Sequence, residues 1–190
     1  MLRGRALIVI LCALLAACTM RSAINALSSE EDRAFAQQMV ERLRAGDAAW
    51  LEQRFHPDLW AQSGKQIAGV PGLYPTVPGT TEFVGFNIST NTVNGRTERI
   101  REFTLVTHGG GRWTTTSFRT ESTGGPDLVM EWRVTPSSTA PPELTMIETW
   151  DRMVPWIWAG LAIVLIGFTV LIVWLVRRSR RKHDPLTGQR

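Results

Sequence analysis

Two histidines stand beside groups with which an imidazole could do chemistry. His56 precedes Pro57 and Asp58, so a carboxylate two residues away could orient the ring as a general base. His108 precedes Gly109-Gly110-Gly111, and glycine-rich loops can hold anions through their backbone N–H groups. However, His56-Pro57 is typical of a helix end, with Asp58 capping the next helix. Glycines between two strand-like runs are typical of a turn. We therefore assign no catalytic residue.

The sequence also argues against a metal or cofactor site. Its two cysteines, Cys12 and Cys18, both lie near the N-terminus, so the rest of the chain has no thiol ligand, thiol nucleophile or disulfide. The two histidines of the central domain, His56 and His108, have no neighbouring ligands at the spacing of a zinc site. No GxGxxG or GK[ST] phosphate-binding pattern occurs. We expect no metal and no cofactor.

Cys18 follows an N-terminal segment of the kind that directs secretion. A short basic stretch, an apolar run of about twelve residues and then small residues form the pattern MLRGR-ALIVILCALLAA. Leu15-Ala16-Ala17-Cys18 resembles the bacterial lipobox. That resemblance implies a lipoprotein signal peptide over residues 1–18, cleaved before Cys18, with lipid, including palmitate, on the cysteine. An ordinary leader and an uncleaved anchor are the alternatives.

A second apolar run lies near the C-terminus. Residues 154–176 contain no charged side chain, and at a rise of about 1.5 Å per residue they would reach roughly 34 Å as a helix. Trp156, Trp158 and Trp174 stand near its ends, as at a membrane interface. The cluster RRSRRK follows directly and is typical of a cytoplasmic flank. The sequence predicts a transmembrane helix over 153–176 and a basic cytoplasmic tail over 177–190.

The charge distribution supports this topology. The formal net charge is +4, but the positive charge is concentrated at the two ends, and acidic residues outnumber basic ones between 19 and 153. We therefore expect no nucleic-acid partner. We expect a domain facing the periplasm, held in the bacterial cytoplasmic (inner) membrane by acylated Cys18 and by helix 153–176. Thr19 replaces the aspartate that often signals inner-membrane retention, but a spanning helix should override that difference.

The segment between the anchors begins with helical patterns. We predict a linker over 19–27, then an extracytoplasmic domain over 28–152. Ser28 with Glu31 predicts a capping box, Gly46 ends the first helix and Asp47 caps a second. A third helix is predicted from Asp58 to about Gln66, followed by a Pro/Gly-rich loop over 69–80.

Beyond residue 80 the sequence predicts β-strands. Five runs rich in β-branched and aromatic residues are separated by turn signals: TEFVGFNIST, TERIREFTLVTH, RWTTTSFRTE, DLVMEWRVT and ELTMIETW. Asn94-Gly95 between two of them is a strong hairpin signal. Helices followed by a consecutive antiparallel meander predict an α+β fold.

The pattern AFAQQMVERLRAGDAAWLEQRFHPDL, with the meander after it, resembles the small extracytoplasmic members of the NTF2-like (cystatin-like) group. The resemblance implies a long helix across a curved sheet, enclosing a conical pocket. Some members of that group are enzymes, and many bind ligands or partners. Trp60, Tyr74 and Phe83 would rim the mouth of the cone, and His108 is a further candidate ligand contact.

Two functions follow from these features. The first is a membrane-tethered, non-enzymatic binding or assembly module of the envelope with an inner-membrane protein partner. The alternative is a periplasmic pocket enzyme or a binder of small ligands or lipid. The absence of a convincing catalytic set favours the first.

Overall fold

The computed structural model describes residues 19–77, 79–93 and 95–182. The chain divides into two compact units, Thr19–Thr149 and the described part of the segment beyond it, 150–182. The predicted signal peptide with Cys18, and the end of the basic tail after residue 182, lie outside the described residues.

Helices precede the sheet, as predicted. They are α1 (Met20–Leu27), α2 (Glu30–Ala45), α3 (Ala48–Glu52), α4 (Pro57–Ser63) and a 3-10 helix (Gly64–Leu73). The segment that the sequence indicated as a linker over 19–27 instead forms α1. Thr19 caps this helix, because its hydroxyl oxygen accepts a hydrogen bond from the Ser22 N–H at 3.1 Å. The 3-10 helix occupies the first part of the predicted Pro/Gly loop.

The start of α2 differs by one residue from the predicted capping box. Ser29 is the cap, and its hydroxyl accepts from the Asp32 N–H at 3.0 Å while Asp32 accepts from the Ser29 N–H at 3.1 Å. Ser28 closes α1 instead, since its hydroxyl donates to the Ile24 carbonyl at 2.9 Å. At the other end, Gly46 terminates α2 with a φ of 67°, a conformation that glycine adopts at little cost.

The sheet is a simple antiparallel meander. Strands β1 (Thr80–Val93), β2 (Arg96–Gly109), β3 (Arg112–Ser122) and β4 (Leu128–Ser137) are neighbours in chain order. The α+β class is thereby confirmed, with four of the five predicted strands. The prediction of a strand for the fifth run, ELTMIETW, is wrong. This run lies in the first turns of α5 (Pro142–Lys182). Leu144 and Ile147, three residues apart, are both buried, so this run has a helical stripe.

One face of the sheet packs against α2. Phe103 and Phe118, from β2 and β3, stack with ring centroids 4.8 Å apart, and Phe35 of α2 lies 6.0 Å from each. The buried cluster around them also contains Met39 and Leu43 of α2. Aromatic rings therefore fill the space between α2 and the middle of the sheet.

The opposite face is covered by the two ends of the same unit. Ile24 of α1 and Leu144 and Ile147 of α5 form a second buried cluster with Val84 and Val106 of the sheet. Val106 follows Leu105 of the first cluster, and successive side chains of a strand point to opposite faces. The first and last helices of the unit therefore pack on one side of the sheet.

The second unit contains the rest of α5. The stretch Pro142–Arg178 is long and apolar enough, by length and composition, to cross a membrane. Its large apolar side chains, such as Trp156, Ile163 and Trp174, are exposed. The predicted span 153–176 lies inside this helix.

Candidate functional site

An apolar groove lies beside the edge strand β4. Its volume is about 560 Å3, within the range of roughly 300–1,000 Å3 typical of ligand sites. The 3-10 helix and α4 form one wall and β4 forms the other. The apolar lining residues are Leu59, Val70, Leu73, Met130, Trp132 and Val134, and Ser63, Gln66, Glu131 and Arg133 are the polar ones.

Hydrogen bonds hold the two walls together. The indole N–H of Trp132 donates to the Ser63 hydroxyl at 3.2 Å, and Ser63 donates in turn to the Leu59 carbonyl at 2.7 Å. Below them the His56 N–H donates to the Val129 carbonyl at 2.9 Å, and the Val129 N–H donates to the Arg54 carbonyl at 2.8 Å. Side-chain and backbone hydrogen bonds therefore join the two walls of the groove.

The outer edge of β4 is open beside this groove. Within the part of the chain that the structure describes, Val129 is the residue of this edge whose backbone forms hydrogen bonds with residues outside the sheet. Outward-facing backbone groups recur at alternate residues of an antiparallel edge. The backbone groups of Val129 face outward. The register of β3 with β4 shifts between Arg119 and Thr120, so the alternation moves by one residue there. The backbone groups of Trp132 and Val134 therefore face outward as well. The alternation also places Pro136, which has no N–H, at an outward position, where proline is tolerated.

His56 and His108, the two histidines that the structure describes, each lie near a carboxylate but not within hydrogen-bond distance of it. His56 itself caps α4, where Asp58 was expected to do so: its Nδ1 accepts from the Asp58 N–H at 3.3 Å, and the Asp58 carboxylate lies 3.7 Å away. His108 stacks on Trp113 at 4.7 Å, and its Nε2 is 3.7 Å from Glu82. Both imidazole–carboxylate distances exceed hydrogen-bond reach.

The other proposed ligand contacts lie apart from the groove lining. Tyr74 is 1% exposed, and its hydroxyl is hydrogen bonded to the Thr116 hydroxyl at 2.7 Å. Burial raises the pKa of Tyr74 to about 12, against the opposing effects of Thr116 and of the Arg44 charge. Trp60 and Phe83 are partly buried against the main core. In this structure Tyr74 is a core residue, and the three aromatic side chains pack inward.

A buried ion-pair network escaped the sequence reasoning. Arg101 of β2 donates to Asp32 and also pairs with Asp127 in the β3–β4 loop. Burial opposes ionisation of Asp32, but the hydrogen bonds from Ser29 and the Arg101 charge outweigh it and lower the pKa of this carboxyl. The acidic first turn of α2 was visible in the sequence, but the strand residue that meets it was not.

The carboxyl groups of Glu98 and Glu121, both half-buried, lie close together on the sheet. Desolvation, followed by a hydrogen bond and charge repulsion from Glu98, raises the pKa of Glu121. Among the residues described, no group of three His, Cys, Asp or Glu side chains could hold a metal ion.

Comparison with protein-family models, with curated proteins and with solved structures finds no significant match to this chain.

Proposed function

We propose that this chain is a membrane-tethered envelope lipoprotein whose periplasmic domain is a non-enzymatic binding or assembly module. The observation that carries the proposal is the second buried cluster, in which Ile24 of α1 meets Leu144 and Ile147 of α5. Both ends of the folded unit pack on one face of the sheet. Such an arrangement suits a domain whose N-terminal lipid and C-terminal helix enter the same membrane.

The start of α1 adds to this argument. Thr19, the residue after the proposed lipid attachment at Cys18, already caps a helix that packs on the sheet. A domain tied this closely would stay next to the lipid headgroups. A spanning α5 would make the attachment effectively permanent.

The groove beside β4 supports binding over catalysis. Its lining is mainly apolar, and neither histidine belongs to it. The size and lining of the groove also support the second candidate, a binder of small ligands or lipid. For the fold we propose a divergent NTF2-like domain, supported by the long α2 laid across an antiparallel meander.

The topology is tested by fusing a reporter enzyme that is active only in the periplasm. A fusion after Thr149 is expected to be active and a fusion after Arg190 inactive, because the basic tail should remain in the cytoplasm. Activity of the fusion after Arg190 would contradict the topology.

Binding is tested by covalent capture of membrane partners in cells that produce the full chain. Leu73→Glu, in the groove wall, is expected to reduce capture of stoichiometric partners. Val77→Glu is the matched control, because Val77 is 52% exposed and lies outside the groove lining. Equal capture by both variants would argue against the groove as the binding site.

A further inference from the structure

We propose that the outer edge of β4 pairs with β4 of a second copy of this chain, antiparallel and centred on Trp132. This inference rests on the proposed function, since it names one partner of the binding module. The edge beyond Val129, whose own backbone is bonded to Arg54 and His56, provides the space, and the outward backbone groups of Trp132 provide hydrogen bonds to Trp132 of the second copy.

The side chains of β4 are complementary to themselves in this register. The segment reads Met130-Glu131-Trp132-Arg133-Val134. With Trp132 opposite Trp132 of the second copy, each Glu131 faces an Arg133, and Met130 faces Val134. Opposite charges directly across an antiparallel pair stabilise it, and like charges destabilise it. A pairing centred on Glu131 or on Arg133 would instead place like charges opposite each other, so the charges select one register.

The other edge of the sheet lacks this pattern. The outer part of β1, residues 87–92, reads NISTNT and carries no charge. Charge complementarity therefore favours β4 as the docking strand.

The symmetry is compatible with two anchored copies. The two-fold axis between antiparallel strands in one sheet is normal to that sheet, so corresponding faces stay on the same side. The face covered by α1 and the first turns of α5 would therefore point the same way in both copies. Both pairs of anchors could enter one membrane.

The test measures self-association of the detergent-solubilised full chain by sedimentation velocity over a dilution series. Glu131→Arg and Arg133→Glu are each expected to raise the dimer dissociation constant about tenfold or more. Each variant places like charges at positions 131 and 133 of facing strands, and the two-fold symmetry produces that unfavourable pair twice in the interface. The double variant restores both pairs and should return to within about threefold of the native value. Glu52→Arg, an exposed charge reversal on α3, is the matched control and should leave the constant unchanged.

Circular dichroism checks the fold of each variant. Glu131 is directly across from Arg119 within the chain, so Arg133→Glu supplies an independent result if Glu131→Arg unfolds. Hydrogen exchange gives a second readout: the outward-facing amide of Trp132 should become more protected as the native chain is concentrated. A native chain that is monomeric at about 0.1 mM, single variants that associate normally, or a double variant that stays dissociated would each overturn the inference. Reporter topology and the capture of membrane partners other than a second copy do not depend on this dimer, so its failure would leave the proposed function standing.

Discussion

Arg101 on β2 donates a hydrogen bond to Asp32, whose carboxylate also completes the cap of α2. The two residues are 69 positions apart in the chain, and their side chains are 11% and 3% exposed. The contact joins the beginning of the longest helix of the domain to the centre of the sheet. Asp127 lies on the other side of the same guanidinium. This network ties the start of α2 to β2, in addition to the aromatic packing between them.

Replacing Arg101 by methionine is expected to destabilise the protein by about 3 kcal/mol or more, because it leaves the buried Asp32 carboxylate without its cation. Asp32→Asn should cost less, since it removes the buried charge. The measurement is the free energy of unfolding of the full chain in detergent, followed by near-ultraviolet circular dichroism. A loss below about 1 kcal/mol for the arginine variant would contradict a structural role for the pair.

The same pair predicts a dependence on pH. Because the folded-state pKa of Asp32 is lowered from 3.8, its stabilising contribution is fully present above that value. The contribution is lost as the pH falls through the folded-state pKa. The difference in unfolding free energy between the native chain and Asp32→Asn should therefore be constant near neutral pH and change only in the acid range. A change centred near neutral pH would contradict this assignment.

Tyr74 gives a direct spectroscopic test, because it is the single tyrosine of the chain. Its phenol should ionise near pH 12 in the folded protein and near 10 when unfolded, as read from tyrosinate absorbance. The raised pKa means that the neutral phenol contributes stability below pH 10, which is lost as the pH rises toward 12. Tyr74→Phe should destabilise by about 1–2 kcal/mol, since it leaves the buried Thr116 hydroxyl without this partner. A folded-state midpoint near 10 would indicate an exposed ring instead.

Leu144 tests whether the first turns of α5 belong to the domain. Leu144→Ala should cost about 2–4 kcal/mol, because the side chain is 1% exposed within the second cluster. Met146→Ala, two residues away and 57% exposed, should change stability by about 0.5 kcal/mol or less. The comparison is made by thermal unfolding of the full chain. Equal effects would indicate that this run does not pack as a helix.

Cys18 tests the proposed lipid anchor. Cys18→Ser should abolish metabolic labelling with palmitate, whereas Cys12→Ser, in the apolar part of the leader, should keep it. Both variants should remain in the membrane fraction, because the apolar segment of α5 would hold them there. Labelling that persists in Cys18→Ser would exclude the predicted attachment site.

The sequence by itself determined the features that depend on neighbouring residues. The uncharged run 154–176, the stop at Gly46 and the cap at Asp47, and four strands with their turns could all be read from local pattern. These features come from backbone preferences and from the period of apolar residues, which need no distant partner. The same local reading failed at ELTMIETW. There, β-branched residues favoured a strand, but burial of Leu144 and Ile147 on the sheet favoured a helix.

Only the tertiary structure decided which distant residues meet. The Arg101–Asp32 pair and the Trp132–Ser63 hydrogen bond each join positions 69 residues apart. The register of the sheet and the packing of α2 and α4 against it bring these residues together, and no local pattern encodes that register. The position of both ends of the unit on one sheet face arises in the same way. It exists because α1 and α5 bury their apolar stripes in a shared cluster.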